Sequence, residues 1–417
     1  MRIPFALIFG LCATLLSAPV SAQVGIGNVQ VEVPGAGRVL DPVLDPVLDD
    51  ASRLTGRLDR EINDLAADRL RRIDSLVRRN RDVIERDTAG NPARRGVLVV
   101  MGAQDEAVLE AERAGYSVLQ REQLAELGLE VISMSLPRGT SLSEGEKELR
   151  RLMPGAEVTA DNLYFQAGGS MRPASSSAQG VSATSRSGAV TVGIIDGAPH
   201  PSIVVDKVQA FARGGGRASD HGSAVASLLK SAGTSRIKVA DVYGSDPAGG
   251  NVMAITRAIA WLVGEGANVI TISLVGPENI VLARAVAAAR QRGVVIVAAV
   301  GNDGPAAPPA YPASYDGVVA VTAVDRRERA LIEAGRALHL DYAAPGADIF
   351  GMDRRGRTVR LRGTSYATPL VAARIFHALA TGANWRRIVD NEAVDLGERG
   401  PDATYGRGLL CRGCGQR

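Results

Sequence analysis

Aromatic residues are scarce in this chain, where Phe, Trp and Tyr together make up 4% of 417 residues. Proteins that bind single-stranded nucleic acid usually stack bases on several such rings, so this composition argues against that class. A large excess of charge is also missing, because 48 Lys and Arg balance 45 Asp and Glu to a net charge of +3. We therefore expect no nucleic-acid partner.

Cysteine is rarer still, with three residues in the whole chain. Cys12 lies in an apolar N-terminal stretch, whereas Cys411 and Cys414 form a CRGC tail at residues 411–417. In an exported chain this pair is a candidate disulfide. A redox motif is disfavoured because no βαβ pattern follows it, and a zinc site would need two more ligands, which the neighbouring sequence lacks.

The N-terminus has the features of a secretory signal peptide over residues 1–22. One Arg precedes a short apolar run, and the small residues Val20, Ser21 and Ala22 precede the polar Gln23. Cleavage after Ala22 predicts export to the periplasm or the cell exterior, with no membrane span left afterwards. The alternative is an uncleaved membrane anchor, for which the apolar run is short.

The next segments change composition along the chain. Residues 23–50 include the tandem DPVLDPVLDD and have the composition of a linker. Residues 51–90 place Leu and Ile at mostly three- and four-residue steps, which predicts an amphipathic, Arg-rich helix or helix pair. Arg and acidic residues alternate on its other face, as in a solvated or docking helix.

Two folded regions follow, with a flexible segment between them. Residues 95–167 alternate short strands and helices, which favours a small ferredoxin-like α+β module. Residues 168–188 are rich in Gly, Ser and Ala and predict a flexible linker open to proteolysis. Residues 189–410 alternate continuous apolar strands (AVTVGIID, IKVADVY, NVITISL, VVIVAAV, GVVAVTAV) with helices. This pattern predicts an α/β fold with a parallel sheet covered by helices on both faces.

Four polar residues of this region stand at strand ends or helix starts. Asp196 ends a strand, Asn302 follows another, His221 begins a helix, and Ser365 opens the last long helix. Taken singly, each is compatible with a helix cap or a turn. Taken together, a carboxylate, an imidazole, an amide and a hydroxyl are the groups that acyl-transfer catalysis requires, since serine needs a base to become a good nucleophile.

The same stretches resemble the subtilisin-like serine proteases (subtilases, peptidase S8). The matching segments are VGIIDG, HGSAVASLL, GANVITISLVGP, AAVGNDG and GTSYATPLVAA, in the family's Asp, His, Asn, Ser order over about 220 residues. The resemblance implies that Ser365 is the nucleophile, His221 the general base and acid, Asp196 its orienting partner, and Asn302 the oxyanion donor. Ser273, Leu274 and Gly276 would line the groove for an extended substrate, and Ala299 and Gly301 would flank its primary pocket.

The resemblance also implies an exported serine endopeptidase that acts on polypeptides. Residues 95–167 would be its propeptide and intramolecular inhibitor, removed by self-cleavage between Gln166 and Gly188. No cofactor is expected to be required, and the calcium site that the family often carries is not evident. Val275 departs from the family's usual glycine and is expected to narrow the substrate subsites.

Two other functional hypotheses assign different roles to the same residues. A catalytically silent subtilase fold that keeps its prodomain would act as a binding or scaffold protein. A lipase or esterase of the α/β-hydrolase type would need a G-x-S-x-G elbow and the order Ser, Asp, His. The segment around Ser365 has neither feature.

Overall fold

The structure is a computed structural model that describes residues 41–167, 170–173 and 190–415. For residues 41–59 it describes the backbone only. The signal peptide expected at 1–22 and most of the segments 23–50 and 168–188 lie outside the described residues. The chain divides into two units, Met1–Arg57 and Leu58–Arg417; apart from the bounds of the first helix, which begins in the first unit, the account below concerns the second.

The first helix, α1, runs over Asp41–Arg79. Residues 41–50, which we had expected to be linker, are therefore helical, and a proline as second residue suits a first helical turn. The helix also ends earlier than the predicted segment 51–90. Its last turn carries Arg78 and Arg79, and the Asn80 amide donates to the Leu76 carbonyl at 2.9 Å, so the end is capped locally.

An α+β module follows α1. Its elements are β1 (Ile84–Arg86), β2 (Pro92–Met101), α2 (Asp105–Arg113), β3 (Ser117–Leu124), β4 (Leu129–Ser135), α3 (Leu142–Leu152) and β5 (Glu157–Asn162). Four strands pair in the antiparallel order β5-β2-β4-β3, which is the ferredoxin-like arrangement. We had not predicted β3 from the sequence, because most of its side chains are exposed and it lacks apolar alternation.

The large domain is built on a parallel sheet of seven strands. They are β8 (Val192–Asp196), β9 (Lys207–Ala210), β10 (Ile237–Asp241), β11 (Val269–Ile272), β13 (Val295–Ala299), β14 (Val319–Val324) and β15 (Tyr342–Pro345), in the order β15-β14-β13-β11-β8-β10-β9. All five strands predicted from continuous apolar runs are present. The missed strands, β9 and β15, are the two edges, and the residues of β9 are exposed.

Helices cover both faces of this sheet, as predicted. They are α4 (Asp220–Ser231), α5 (Val252–Gly264), α6 (Ile280–Gln291), α7 (Thr364–Ala380) and α8 (Trp385–Glu392). One apolar core contains α5 and α6, and a second contains α4 and α7. Among the described helices, none is both long and apolar enough to cross a bilayer.

Two small antiparallel pairings lie beside the sheet. β6 (Phe165–Gln166) pairs with β12 (Leu274–Val275). β7 (Met171–Pro173) pairs with β17 (Thr358–Arg362), which also pairs with β16 (Ala347–Met352). The chain therefore leaves the α+β module, pairs with one segment of the large domain, and then pairs with the strand that leads into α7.

Candidate active site

Asp196 and His221 form a buried pair at the carboxyl edge of the sheet. Asp196 is the last residue of β8, and its Oδ2 lies 2.7 Å from Nδ1 of His221. Its Oδ1 accepts the backbone N–H of Gly197 at 2.7 Å, which orients the carboxylate. His221 is in the first turn of α4, whose N-cap Ser219 accepts from the Gly222 N–H at 2.9 Å. The cap fixes the helix start and hence the ring position.

The pairing of Nδ1 leaves Nε2 of His221 as the ring nitrogen available for chemistry. Nε2 is buried, as is Oγ of Ser365, and neither atom has a hydrogen-bond partner among the described residues. The His221 ring also packs against Tyr366, with ring centroids 5.4 Å apart. Burial, followed by the Asp196 carboxylate, raises the pKa of the Tyr366 phenol, so this ring stays neutral beside the imidazole.

Ser365 is the second residue of α7, as the sequence predicted. The N-cap of α7 is Gly363, with a φ of 143° that L side chains rarely adopt. The Ser365 carbonyl accepts the hydroxyl of Ser273 at 2.9 Å, which ties the start of α7 to the residue before β12. The nucleophile candidate is thus held between a glycine turn and the groove strand.

Asn302 is fixed by the same helix start. Its Oδ1 accepts the backbone N–H of Thr364 at 2.9 Å, while the Thr364 hydroxyl donates to the carbonyl of Gly301 at 3.1 Å. These bonds leave Nδ2 as the free end of the amide, and it donates to the carbonyl oxygen of Ala167. A donor held in this way suits the stabilisation of a developing oxyanion.

The chain's own residues 164–167 occupy the groove as an extended peptide would. The Ala167 N–H donates to the Ser273 carbonyl at 2.9 Å, next to the pairing of β6 with β12. Gln166 Nε2 donates to Asp196 Oδ1 at 3.1 Å. The ring of Tyr164 is fully buried, and its hydroxyl donates to the Pro277 carbonyl at 2.5 Å. This is strand addition, a common mode of peptide recognition.

The predicted substrate-binding residues fall into two groups. Ser273 and Leu274 pair with the occupying segment, as just described. Gly276 instead exchanges backbone hydrogen bonds with Tyr311, at 2.9 and 3.2 Å, and presents its bare Cα to the Tyr164 ring. Gly301 faces Val275, whose Cγ1 would lie 3.3 Å from a Cβ at that position.

Ala299 is fully buried within β13. The cavity beside Ala167 is lined instead by the next residues, Val300 and Gly301. From the resemblance we had expected the C-terminal tail of the propeptide, NLYFQAGG, to lie in the cleft, with the cut between Gln166 and Gly188. The sequence indicated no individual contact for Tyr164, Gln166, Ala167 or Asp303, because each contact depends on a segment that is distant along the chain.

The described residues contain no group of three or more His, Cys, Asp or Glu side chains that could hold a metal ion. The Cys411 and Cys414 sulfurs are joined in a disulfide, with Cα atoms 5.2 Å apart.

Comparisons with known proteins agree with this geometry. The Peptidase_S8 family model, described as the subtilase family, matches residues 214–408. Subtilisin BL of Lederbergia lenta is 31% identical over 189 residues, which cover 44% of this chain and 68% of that protein. The chain belongs to the subtilase family. Epr, a minor extracellular protease of Bacillus subtilis, is 32% identical over 181 residues, which cover 42% of this subtilase and 27% of Epr.

One solved structure shares the fold of this subtilase over most of its length. Fervidolysin from Fervidobacterium pennivorans, a keratinolytic enzyme related to subtilisin, superposes with a TM-score of 0.62 at 17% identity, covering 78% of this chain and 61% of fervidolysin. Among curated relatives, the aligned part spans 27% of Epr and 64% of Subtilisin DY from Bacillus licheniformis. The comparisons therefore establish family and fold.

Proposed function

We propose that this subtilase is an exported serine endopeptidase, made as a zymogen, that cuts its own chain between Ala167 and Gly168. The observation that carries the proposal is the hydrogen bond from Asn302 Nδ2 to the Ala167 carbonyl. An oxyanion donor contacts the carbonyl that is attacked, so this bond supports Ala167 as the residue before the cut. The pairing of β6 with β12 on one side, and of β7 with β17 on the other, leads the chain through the site.

The chemistry follows from the four polar groups. His221 Nε2 takes the proton of the Ser365 hydroxyl as Oγ attacks the carbonyl carbon of Ala167. Asp196 holds the ring through Nδ1 and stabilises the imidazolium. The negative charge on the former carbonyl oxygen is stabilised by Asn302 Nδ2. His221 then returns the proton to the departing amine of Gly168, and water hydrolyses the ester on Ser365 by the reverse sequence.

Two observations support the α+β module, residues 95–167, as an inhibitory propeptide. Its last residues fill the groove, so another polypeptide cannot pair with β12 at the same time. It also packs on the large domain through Asn279, the N-cap of α6, whose Nδ2 lies 2.9–3.0 Å from three acceptors of β5: Thr159 Oγ1, the Ala160 carbonyl and Asn162 Oδ1. Export rests on the signal-like residues 1–22.

The test compares the wild-type chain with Ser365→Ala by intact mass and N-terminal sequencing. We expect a wild-type fragment that begins at Gly168 and a Ser365→Ala chain that stays joined at this bond. Ser231→Ala is the matched control, because this hydroxyl donates to Leu228 within α4, away from the cleft, and it should be processed normally. A fragment produced equally by Ser365→Ala would contradict self-cleavage.

A fluorophosphonate probe separates the enzyme from the silent scaffold. Once the residues up to Ala167 are removed, the probe should label Ser365 covalently, because the probe needs an activated serine. A scaffold that keeps its prodomain would show neither cleavage nor labelling. That result would favour the hypothesis of a binding or scaffold protein.

A further inference from the structure

The helix α1 is the largest described element that the proposed chemistry leaves without a role. Its residues from Leu58 onward belong to the same compact unit as the cleft. Leu76 and Val77 of this helix pack in one apolar cluster with Leu163 and Phe165. Phe165 belongs to the segment that lies in the groove and Leu163 directly precedes that segment, so α1 packs on the bound tail.

The helix is also bound to the cleft itself through an acidic side chain. Asp303 follows Asn302 directly, and its two carboxylate oxygens face two arginines of α1. Oδ2 lies 3.4 Å from Nε of Arg69, and Oδ1 accepts a hydrogen bond from Arg72. The Arg69 and Asp303 side chains are 23% and 25% exposed, so solvent screens this pair less than an open surface pair, whereas the Arg72 side chain is 61% exposed.

A further contact brings α1 close to the loop after Asn302. A Cβ placed on Gly304 would lie only 3.2 Å from the Leu65 side chain, so the glycine permits this approach. Between the helix and the groove lies a cavity of about 1360 Å³, lined by α1 residues, by Ala167 and by Gly301 and Asn302. The helix therefore forms a wall over the site beside the carbonyl to be attacked.

We propose that α1 is a strap that holds residues 163–167 in the groove, so that the prodomain still inhibits after the bond following Ala167 is cut. The inference rests on the proposed function, whose inhibition it refines. Helix α1 and residues 163–167 both lie on the N-terminal side of that bond, and the contacts of α1 with Asp303 and Gly304 are noncovalent, so the cut itself breaks none of the described contacts. Cleavage and activation are then separate steps, and activity appears only when α1 leaves Asp303.

The length of the tail pairing supports a need for such a strap. β6 and β12 pair over only two residues, Phe165 with Val275 and Gln166 with Leu274. Such a short pairing is not stable by itself in water. Leu76 and Val77 add apolar packing on one side of the tail. Arg69 and Arg72 add ion pairs at the cleft rim.

The test uses the full chain carrying Ser365→Ala, which remains uncut, and measures hydrogen exchange at Phe165–Gln166 and Leu274–Val275. Arg72→Glu places a carboxylate against Asp303, and we expect exchange at these amides to rise about tenfold or more. Leu65→Ala, which changes no charge, should raise it as well. Arg78→Glu is the matched control, because this exposed arginine of α1 faces no described acid of the cleft, and exchange there should stay at the parental rate.

The outcomes separate the strap from the enzyme. If hydrogen exchange in both Arg72→Glu and Leu65→Ala stays at the rate of the Ser365→Ala chain, the role of α1 as a strap is refuted, whether or not the chain is a protease. Faster exchange in both supports it. If exchange rises in both while Ser365 of the wild-type chain never reacts with a fluorophosphonate, even after removal of residues up to Ala167, the strap stands and the proposed catalysis fails.

Discussion

Asn302 and Ala167 are joined by a hydrogen bond from the side-chain amide of the first to the carbonyl of the second. The other end of the amide is held by the Thr364 N–H, which can only donate, so Oδ1 must face Thr364 and Nδ2 must face the carbonyl. The orientation of the donor is thus determined by the start of α7. A donor that needs no rearrangement is what stabilises charge in a transition state.

Removal of this donor should slow the reaction much more than it weakens binding. For Asn302→Ala we expect turnover of a peptide substrate and self-cleavage to fall about 10²- to 10³-fold, with KM largely unchanged. Asn302→Asp keeps the acceptor for the Thr364 N–H but loses the donor, so it separates the two roles and should also be slow. Steady-state kinetics on the processed enzyme checks both variants, and unchanged kcat in both would refute the oxyanion role.

The sheet and the four polar residues could be predicted because each rests on a local pattern. Strands that are buried on both faces appear in the sequence as continuous apolar runs. Asp196, His221 and Ser365 each lie at a strand end or a helix start. The edge strand β9 escaped prediction because its exposed side chains carry no such run.

Contacts between distant segments could not be predicted in the same way. The pairing of Arg72 with Asp303 joins residues 231 positions apart, and the AAVGNDG motif that contains Asp303 does not indicate a partner on α1. The same holds for Tyr164 against Gly276, since the space at a glycine is defined only once another segment fills it. The register of Ala167 at the site likewise depends on packing of the whole α+β module.

The fit of Tyr164 against Gly276 predicts a coupled pair of substitutions. A Cβ on Gly276 would lie 2.6 Å from the Tyr164 ring, so in the uncut Ser365→Ala chain Gly276→Ala should lower the free energy of unfolding by about 1–3 kcal/mol. In a Tyr164→Ala background the ring is absent, and the same change should cost much less. Denaturant unfolding of the four chains gives the coupling.

Gly413, which has free space around it, provides the control for the double-mutant cycle of Gly276→Ala and Tyr164→Ala. Gly413 has nothing within 4 Å of a built Cβ and no positive φ, so Gly413→Ala should leave the free energy of unfolding nearly unchanged. Equal costs of Gly276→Ala with and without the Tyr164 ring would show that this contact does not set the fit of the tail.

The contact of Gln166 with Asp196 predicts a charge effect on the bound tail. The Gln166 amide donates to Asp196 Oδ1 at 3.1 Å, and Gln166→Glu replaces this donor with a second carboxylate. In the uncut Ser365→Ala chain at pH 7, we expect faster hydrogen exchange at Phe165–Gln166, because like charges repel at this distance. Gln166→Met, which loses the donor without adding charge, should have the smaller effect. The reverse order of the two variants would argue against the contact.

Asp161 of β5 predicts a pH dependence for docking of the α+β module on the large domain. Its side chain is fully buried; Oδ1 accepts the Met253 N–H in the first turn of α5 at 3.1 Å, and Arg94 lies 3.7 Å from Oδ2. Burial raises the pKa of this carboxyl from 3.8 to about 6, against the opposing effect of Arg94. The docked state therefore favours the protonated acid, whereas in the released α+β module this carboxyl is exposed and has its ordinary pKa of 3.8.

The direction of the pH effect follows from this difference between the two pKa values. Docking is strongest below pH 4, weakens as the pH rises from about 4 to 6, and is weakest above 6, with a total change of about 3 kcal/mol. Asp161→Asn cannot ionise and keeps an acceptor for Met253. In the uncut Ser365→Ala chain, it should therefore raise the free energy of unfolding relative to Asp161 at pH 7 and lose this advantage at pH 4. Asp82 is an exposed acid before β1, so Asp82→Asn should show no such pH-dependent difference. An equal effect of Asp161→Asn at both pH values would show that Asp161 is not the group that titrates.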